Sequence, residues 1–225
     1  MPRCAHLINL GLTPYDAGLS LQRNLWALRI RDQIPDTLVL LEHPPSITLG
    51  KSAKAANLLL SRQELQDRGV QVFQIERGGD VTYHGPGQLV GYPVFRIDRA
   101  LAGVRSFVQS IERSIIKALS VWSIPASTKP GLVGVWVNDD KIAAIGIAVR
   151  QQVVLHGFAL NVKCDLRPFG YIVPCGIPDK GVTSMAKVLN REISLATVRH
   201  QVASAFESEF DLELKPAHLP LAGSA

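Results

Sequence analysis

The segment from Arg77 to Tyr92 holds the densest set of potentially chemical residues in this chain of 225 residues. It reads RGGDVTYHGPGQLVGY, with five glycines, one histidine and two tyrosines. Closely spaced glycines let the backbone turn sharply and let a ligand approach the main chain. His84 is expected to place a group that titrates near neutral pH in this bend. We interpret the segment as a binding loop that follows strand-like residues 70–75.

Two familiar glycine motifs do not account for this segment. Gly85, Gly87 and Gly91 miss the dinucleotide-binding spacing by one residue, Pro86 fills the first gap, and strand-like residues follow instead of a helix. The GxxxxGK(S/T) phosphate loop is absent from the sequence. An ordinary Gly-Pro turn between two strands is the plainer alternative.

A cysteine and a lysine could supply nucleophilic chemistry. Cys175 lies between Pro174 and Gly176, a bend that could present its thiol at the rim of a pocket. A nearby cation would lower the pKa of such a thiol from about 8.5. Lys141 begins the apolar run 142–147, would be partly desolvated there, and is the cation that we pair with Cys175.

Each of these residues has a simpler interpretation. A buried, inert cysteine is commoner than a catalytic one. A lysine that follows Asp139 and Asp140 at a hairpin turn is ordinarily a solvated surface charge. Cys4 and Cys164 lack a comparable bend and are interpreted as inert.

Length and composition favour one globular domain. With 47% hydrophobic and 19% charged residues, the chain is predicted to form a single domain over 1–215 and a frayed tail over 216–225. Its longest apolar run, 142–149, is shorter than the roughly 20 residues that cross a bilayer, so no membrane partner is expected. Three cysteines without close pairing indicate a reducing compartment, and a cytoplasmic protein is expected.

The distribution of charge indicates which class of macromolecule the protein is expected to bind. The net charge is +5, but the basic residues are scattered and form no stripe interleaved with aromatics, so nucleic acid is not expected. A dispersed positive surface suits an acidic protein partner. The six histidines and three cysteines show no zinc-ligand spacing, so no metal site is expected.

Local patterns predict the elements that would position these residues. Helices are predicted over 15–34, from the capping box of Ser61 and Glu64 to Gly69, over 104–119 and over 195–210. Strands are predicted over 37–42, 46–49, 70–75, 89–95, 131–137, 141–149 and 153–162. This order predicts an α+β fold with one mixed or antiparallel sheet flanked by helices.

Four motifs occur in a fixed order between about residues 43 and 184. They are RGGDVTYHGPGQLVGYP from Arg77, KIAAIG from Lys141, HGFALNV from His156 and PCGI from Pro174. Together they resemble the signature of the lipoyl(octanoyl) transferases, the octanoyl-[acyl-carrier-protein]:protein N-octanoyltransferases. The resemblance implies the fold of the biotin and lipoate protein ligase superfamily.

The resemblance also implies an activity. Octanoyl would pass from octanoyl-acyl carrier protein to a lysine of the lipoyl domains of 2-oxoacid dehydrogenases or of the glycine cleavage H protein, without a cofactor. Cys175 would carry the acyl group as a thioester and Lys141 would activate it. The implied acyl pocket consists of Arg77, Gly78, Gly79, Asp80, Val81, Thr82, Tyr83, His84, Ala144, Ile145, Gly146, Gly157, Phe158 and Ala159.

Two alternatives stay open at this point. An ATP-dependent lipoate or biotin ligase would form an acyl-adenylate and would not need Cys175, but the Gly-Arg-Gly-Arg type of loop of biotin ligases is absent from the sequence. A non-catalytic module that binds acyl-proteins on the same scaffold would need neither Cys175 nor Lys141.

Overall fold

The computed structural model describes residues 1–97, 103–174 and 180–217. The strands are β1 (Arg3–Leu12), β2 (Thr37–Glu42), β3 (Ser46–Leu49), β4 (Gln71–Gln74), β5 (Val81–His84), β6 (Gln88–Val94), β7 (Ala126–Lys129), β8 (Leu132–Val137), β9 (Asp140–Arg150), β10 (Val153–Asn161), β11 (Gly181–Val182) and β12 (Leu212–Pro216). The helices are α1 (Tyr15–Ile30), α2 (Arg62–Asp67), α3 (Val104–Ser120), α4 (Met185–Leu189) and α5 (Leu195–Phe210).

The strands form two sheets. The large sheet has the order β12-β1-β2-β6-β10-β9-β8-β7, with the short strand β11 added to β9, and it is mixed because β1 runs parallel to both β12 and β2. The small sheet has the order β4-β3-β5. The predicted α+β class with a mixed sheet between helices is confirmed, whereas the expectation of one sheet is wrong.

Proline explains why the chain leaves one sheet for the other. Pro44 and Pro45 separate β2 of the large sheet from β3 of the small one, and Pro86 separates β5 from β6. Proline has no N–H to donate to a strand ladder, so strand pairing stops at these positions. The chain therefore crosses between the sheets at each proline.

Helix α3 supplies the core on one face of the large sheet. Phe107, Ile111 and Ile115 are fully buried there, as the helical spacing predicts. Phe210 of α5 packs on Phe107 with ring centroids 5.3 Å apart. The opposite face of the large sheet is covered by α1 and contributes a second core around Leu25 and Val39. The large sheet is thus covered on both faces.

Several local predictions are confirmed in detail. Ser61 and Glu64 form the expected capping box of α2, and Gly69 follows that helix with φ +71°. Helix α1 ends at Ile30 instead of residue 34, because the chain turns at Asp32, whose φ is +55°. Strands β1 and β12, which pair only with distant parts of the chain, were not predicted.

The segment that was interpreted as a binding loop is mostly strand. Residues 81–84 form β5 and residues 88–92 belong to β6, so only 77–80 and 85–87 are loops. The tail predicted to fray from residue 216 begins inside β12, and Ala217 donates a hydrogen bond to Leu7 O at 2.9 Å. Residues 218–225 lie outside the described residues.

Candidate active site

A cavity of about 310 Å³, which we call the main cavity, is lined by residues of both sheets. This volume falls at the lower end of the range of about 300–1,000 Å³ for small-molecule sites. Its lining includes most of the predicted pocket residues: Arg77, Gly79, Asp80, Val81, Thr82, His84, Ala144, Ile145, Gly146, Gly157, Phe158 and Ala159. Lys141 lines it as well.

The floor of the main cavity is built from small residues of two paired strands. Ala144 of β9 lies opposite Ala159 of β10, and Gly146 lies opposite Gly157. A Cβ atom on Gly146 would lie 2.9 Å from Gly78 O, so the loop at 77–79 approaches the sheet more closely than any side chain would allow. Gly78 N donates to Ile147 O at 2.9 Å, which fixes the loop above this floor.

Two predicted pocket residues do not line the main cavity. Gly78 contacts the sheet through its backbone, as just described. Tyr83 points to the opposite face of β5, because strand residues alternate in direction, and its ring lies 5.5 Å from that of Phe169. Conversely, Tyr15, Tyr92 and His156 line the cavity and were missing from the predicted pocket. Two of them lie in the quoted motifs, His156 at the start of HGFALNV and Tyr92 near the end of RGGDVTYHGPGQLVGYP, whereas Tyr15 had no such signal.

Lys141 is buried, with 7% of its surface exposed, so the interpretation as a solvated surface lysine is wrong. A β-bulge explains its direction. Strand β9 pairs Ala143 with Val135 but Lys141 with Trp136, which leaves Ile142 as an extra residue. Ile142 and Ala143 therefore both belong to the core on the α3 side, and Lys141 turns to the cavity.

The side chain of Lys141 lies between a glycine and an aromatic ring. Its Nζ is 4.8 Å from the centroid of the Trp136 ring, a distance at which a cation is attracted to the ring face. Gly134 adopts φ +126°, and a Cβ atom there would lie 3.2 Å from Lys141 Cε. Glycine at this position therefore makes room for the lysine stem.

A smaller cavity, which we call the side cavity, adjoins the main one beside Lys141. Its walls share Thr82, Lys141, Ala144 and Ala159 with the main cavity. The other walls are Gln88, Asn161, Phe169, Pro174 and Val182. Pro174 is the residue that precedes Cys175 in the sequence; Cys175 itself lies outside the described residues.

Arg77 brings a buried positive charge to the wall of the main cavity. Its Nη2 donates to Thr48 O at 2.8 Å and to Thr48 Oγ1 at 3.0 Å, and its Nη1 donates to Gly78 O at 3.0 Å. These hydrogen bonds connect the loop at 77–79 to β3. Asp80 also anchors this loop, because its carboxylate accepts a hydrogen bond from Asn57 Nδ2.

His84 does not titrate near neutral pH, so that expectation is wrong. The ring is buried and lies 2.8 Å, through Nδ1, from Gln88 Oε1. Burial disfavours the imidazolium and lowers the pKa of His84 from 6.5 to about 3. His43, whose Nε2 lies 2.6 Å from the Tyr92 hydroxyl, is affected in the same way, and burial lowers its pKa to about 4.

His156 occupies an unusual backbone conformation at the main cavity. Its φ is +60° within β10, and its N–H donates to Gln22 Oε1 at 2.9 Å. Burial lowers the pKa of His156 to about 4, against the opposing effect of Glu76, whose Oε2 is 3.8 Å from His156 Nε2. Near neutral pH the two histidines of the lining, His84 and His156, are thus uncharged, and the basic side chains Arg77 and Lys141 share the lining with the carboxylate of Asp80.

The two described cysteines differ in environment. Cys4 is exposed, and Cys164 is buried and contacts Asn161 Oδ1 through its sulfur at 3.5 Å. Burial raises the pKa of the Cys164 thiol to about 12, which keeps it protonated.

Within residues 1–97, 103–174 and 180–217, no cluster of three His, Cys, Asp or Glu side chains could hold a metal ion. None of the helices in these ranges is long and apolar enough to cross a membrane.

Comparison with known proteins finds close sequence relatives. A family model described as the lipoyl protein ligase A/B catalytic domain matches residues 14–207. An octanoyltransferase of Dictyoglomus turgidum is 49% identical over 199 residues, which cover 88% of this chain and 84% of that protein. The range 14–207 includes every residue of the main cavity and Lys141.

Solved structures share the fold at low sequence identity. The crystal structure of lipoate-protein ligase A bound with ATP has a TM-score of 0.78 at 17% identity, and the match covers 95% of this chain and 88% of that one. Biotin protein ligase from Aquifex aeolicus has a TM-score of 0.52 at 12% identity, covering 93% and 69%. The expected fold of the biotin and lipoate protein ligases is thereby confirmed.

Proposed function

Since the chain belongs to the lipoyl protein ligase A/B catalytic domain family and, within it, to the octanoyltransferases, we propose that it transfers octanoyl through a cysteine thioester. It is an acyltransferase of lipoate biosynthesis. The donor is octanoyl-acyl carrier protein, and the acceptor is a lysine of a lipoyl domain of a 2-oxoacid dehydrogenase or of the glycine cleavage H protein. The reaction takes place in the cytoplasm.

The observation that carries the proposal is the position of Lys141. It is buried where the main cavity meets the side cavity, and Pro174 of the Pro174-Cys175 pair lines the side cavity. An ammonium group beside a thiol favours the thiolate, which is the nucleophilic form of cysteine. An apolar cavity that opens beside the same lysine suits the alkyl part of a thioester.

The first half-reaction loads the enzyme. The Cys175 thiolate attacks the carbonyl carbon of the donor thioester, a new C–S bond forms, and the bond to the carrier sulfur breaks. The departing carrier thiolate takes a proton from the Lys141 ammonium. One thioester is exchanged for another, so this step is close to isoenergetic and needs no nucleotide.

The second half-reaction transfers the acyl group. The acceptor amine attacks the Cys175 thioester and gives its proton to the now neutral Lys141 amine. The C–N bond forms, the Cys175 thiolate leaves, and the thiolate–ammonium pair is restored. The product is an amide, and its greater stability relative to a thioester drives the transfer.

The main cavity is the proposed acyl pocket. Its lining includes the apolar residues Leu132 and Ile145, and its floor is made of alanine and glycine. Burial of an alkyl chain there contributes roughly 0.8 kcal/mol for each CH₂ group removed from water. The dispersed net charge of +5 suits the acidic surfaces of carrier proteins.

An ATP-dependent ligase is the alternative that shares this fold. Likeness to lipoate-protein ligase A at 17% identity does not distinguish the two activities. The sequence relative at 49% identity is an octanoyltransferase, and this favours nucleotide-free transfer. The two mechanisms make opposite predictions about ATP.

Intact-mass measurement after mixing the protein with octanoyl-acyl carrier protein, without ATP, tests the proposal. The wild-type protein is expected to gain the mass of one octanoyl group, which hydroxylamine or an acceptor lipoyl domain removes. Cys175→Ala should gain nothing and remain folded, whereas Cys4→Ala and Cys164→Ala should load normally. Transfer by Cys175→Ala at a near wild-type rate would rule out the covalent mechanism, and modification that requires ATP would support the ligase.

A further inference from the structure

The side cavity contains a polar side chain that the proposed mechanism has not yet used. Asn161, at the end of β10, lines this cavity together with Lys141 and Thr82. Only 4% of its surface is exposed. Since buried amides require hydrogen-bond partners, its partners show how the amide is oriented.

Hydrogen bonds fix the orientation of the Asn161 amide. Its Nδ2 donates to Thr183 O at 3.0 Å, and its Oδ1 accepts from Gln88 Nε2 at 2.9 Å. The direction of Gln88 is itself unambiguous, because Gln88 Nε2 also donates to Tyr83 O at 3.1 Å. Both carbonyl acceptors demand N–H donors, so neither amide can be reversed.

This arrangement leaves one donor of Asn161 for a ligand. An asparagine Nδ2 carries two protons, and Thr183 O accepts one of them. In the described ranges of the chain, no second acceptor lies within hydrogen-bond reach of Nδ2. The second proton therefore has no acceptor among the described residues, and Asn161 lines a cavity of about 10 Å³, which has room for about one oxygen-sized group.

The position of Asn161 relative to Lys141 is set by the backbone. Leu160 of β10 pairs with Ala143 of β9, so Asn161 is one residue further towards the Lys141 end of β9. Thr183 connects the two residues, because Thr183 O accepts from Asn161 and Thr183 N donates to Lys141 O at 3.0 Å. The amide and the lysine are thus held in one rigid strand assembly.

Both half-reactions of the proposed function place negative charge on the acyl oxygen. When sulfur or nitrogen attacks the carbonyl carbon, the π electron pair moves to oxygen, and it returns when the leaving sulfur departs. A fixed N–H donor directed at that oxygen stabilises the transition state more than the ground state. The removal of one such donor typically lowers the rate by about 10²–10³.

We propose that Asn161 is a catalytic residue that donates its second Nδ2 proton to the acyl carbonyl oxygen in the side cavity. The inference rests on the proposed function, since the oxygen belongs to the octanoyl thioester. It assigns separate tasks to two neighbours: Lys141 handles the thiol and amine protons, and Asn161 stabilises the oxyanion in both transfers.

Two reactions of the same cysteine separate this role from a structural one. Loading from octanoyl-acyl carrier protein passes through an oxyanion, whereas alkylation of Cys175 by iodoacetamide displaces iodide at carbon and does not. In Asn161→Ala, single-turnover loading is expected to fall by about 10²–10³ while the alkylation rate stays within about twofold of wild type. Equal losses in both reactions, or no loss in loading, would overturn the inference.

A matched control is Thr37→Val, which removes a buried hydroxyl bonded to Pro35 O at the start of β2, outside both cavities. It should lower the melting temperature without slowing loading. If wild type itself does not load, the proposed function fails and the inference with it. If wild type loads and Asn161→Ala loads equally fast, only the inference fails.

A spectroscopic measurement covers the case in which Asn161→Ala does not fold. In the near-isosteric Asn161→Asp, the oxygen that faces Gln88 is retained and the Nδ2 donor is lost. Both proteins are loaded with an octanoyl group that carries carbon-13 at its carbonyl carbon, and the carbonyl stretching frequency of the enzyme thioester is measured by infrared spectroscopy. This frequency should be higher in the variant than in wild type, because the hydrogen bond to the carbonyl oxygen is lost. An identical frequency in the two proteins would show that Asn161 does not touch the acyl oxygen.

Discussion

The stem of Lys141 passes over the Cα atom of Gly134, so closely that a Cβ atom on Gly134 would lie 3.2 Å from Lys141 Cε. The same Cβ atom would lie 2.7 Å from Ala143 O, and Gly134 has φ +126°. Glu112 of α3 accepts a hydrogen bond from Gly134 N at 2.9 Å, which fixes the glycine from the other face of the sheet. The position of the lysine side chain therefore depends on a glycine seven residues earlier in the chain.

Gly134→Ala should reduce octanoyl transfer strongly, because the new methyl group displaces Lys141 and strains the backbone. We expect a loss of about 10²–10³ in kcat and a destabilisation of about 1–3 kcal/mol. Steady-state assays and urea unfolding measure these two effects. The control is Gly69→Ala, which has a similarly strained φ of +71° but no atom within 4 Å of the added Cβ. Equal loss of activity in both variants would contradict a specific effect on Lys141.

Lys141→Met should raise the pH at which Cys175 reacts with iodoacetamide. The ammonium favours the thiolate, so its removal raises the thiol pKa and moves the alkylation profile to higher pH. Transfer should also fall by about 10²–10⁴, since the proton acceptor for the incoming amine is lost. Lys129→Met is the control, because Lys129 pairs with the exposed Asp139 at 2.8 Å on the neighbouring hairpin turn. An unchanged alkylation profile in Lys141→Met would remove Lys141 from the mechanism.

The buried histidines should make the fold sensitive to mild acid. Burial lowers the pKa of His84 to about 3 and that of His43 to about 4, both below the ordinary value of 6.5. The unfolded chain therefore binds more protons, and the stability that is present above pH 6.5 is lost as the pH falls towards 4.

At pH 5, each of these histidines should lower the free energy of unfolding by about 2 kcal/mol relative to pH 7. Urea titrations at the two pH values measure the difference. In His84→Gln, the difference in the free energy of unfolding between pH 7 and pH 5 should be smaller by the contribution of one histidine, about 2 kcal/mol. The same pH dependence in His84→Gln as in wild type would show that His84 is not buried in its neutral form.

The dispersed positive charge should steer acidic partners rather than hold them. Loading by octanoyl-acyl carrier protein is expected to slow as salt rises, because screening shortens to about 8 Å at physiological ionic strength. Acyl transfer within the preformed complex with a lipoyl domain should hardly change. Stopped-flow measurements over a range of salt concentrations distinguish the two steps. Salt-independent loading would contradict this role of the net charge of +5.

Sequence patterns predicted the elements that local chemistry determines. The capping box at Ser61, the buried stripe of α3 and the span of β2 needed only nearby residues, and each is confirmed. The ordered motifs likewise indicated the cavity residues of β9 and β10. These features depend on spacing along the chain, which the sequence displays directly.

The direction of Lys141 could not be predicted in the same way. Regular alternation along β9 would have turned it towards the α3 core, and only the bulge at Ile142 directs it to the cavity. Tyr15 and Tyr92 were missed because α1 and β6 meet at the cavity only after the sheet has formed. The titration of His84 was misjudged because burial depends on the whole fold.

The pairing of β1 with β12 has a consequence for the order of folding. Arg3 of β1 lies opposite Leu212 of β12, so this ladder joins residues that are 209 positions apart in the sequence. Contacts between residues so distant in sequence form slowly. Until β12 pairs, this edge of β1 is open, and a strand of another chain could pair with it. Completion of the large sheet at β12 is therefore expected to be a slow step that leaves the protein exposed to aggregation.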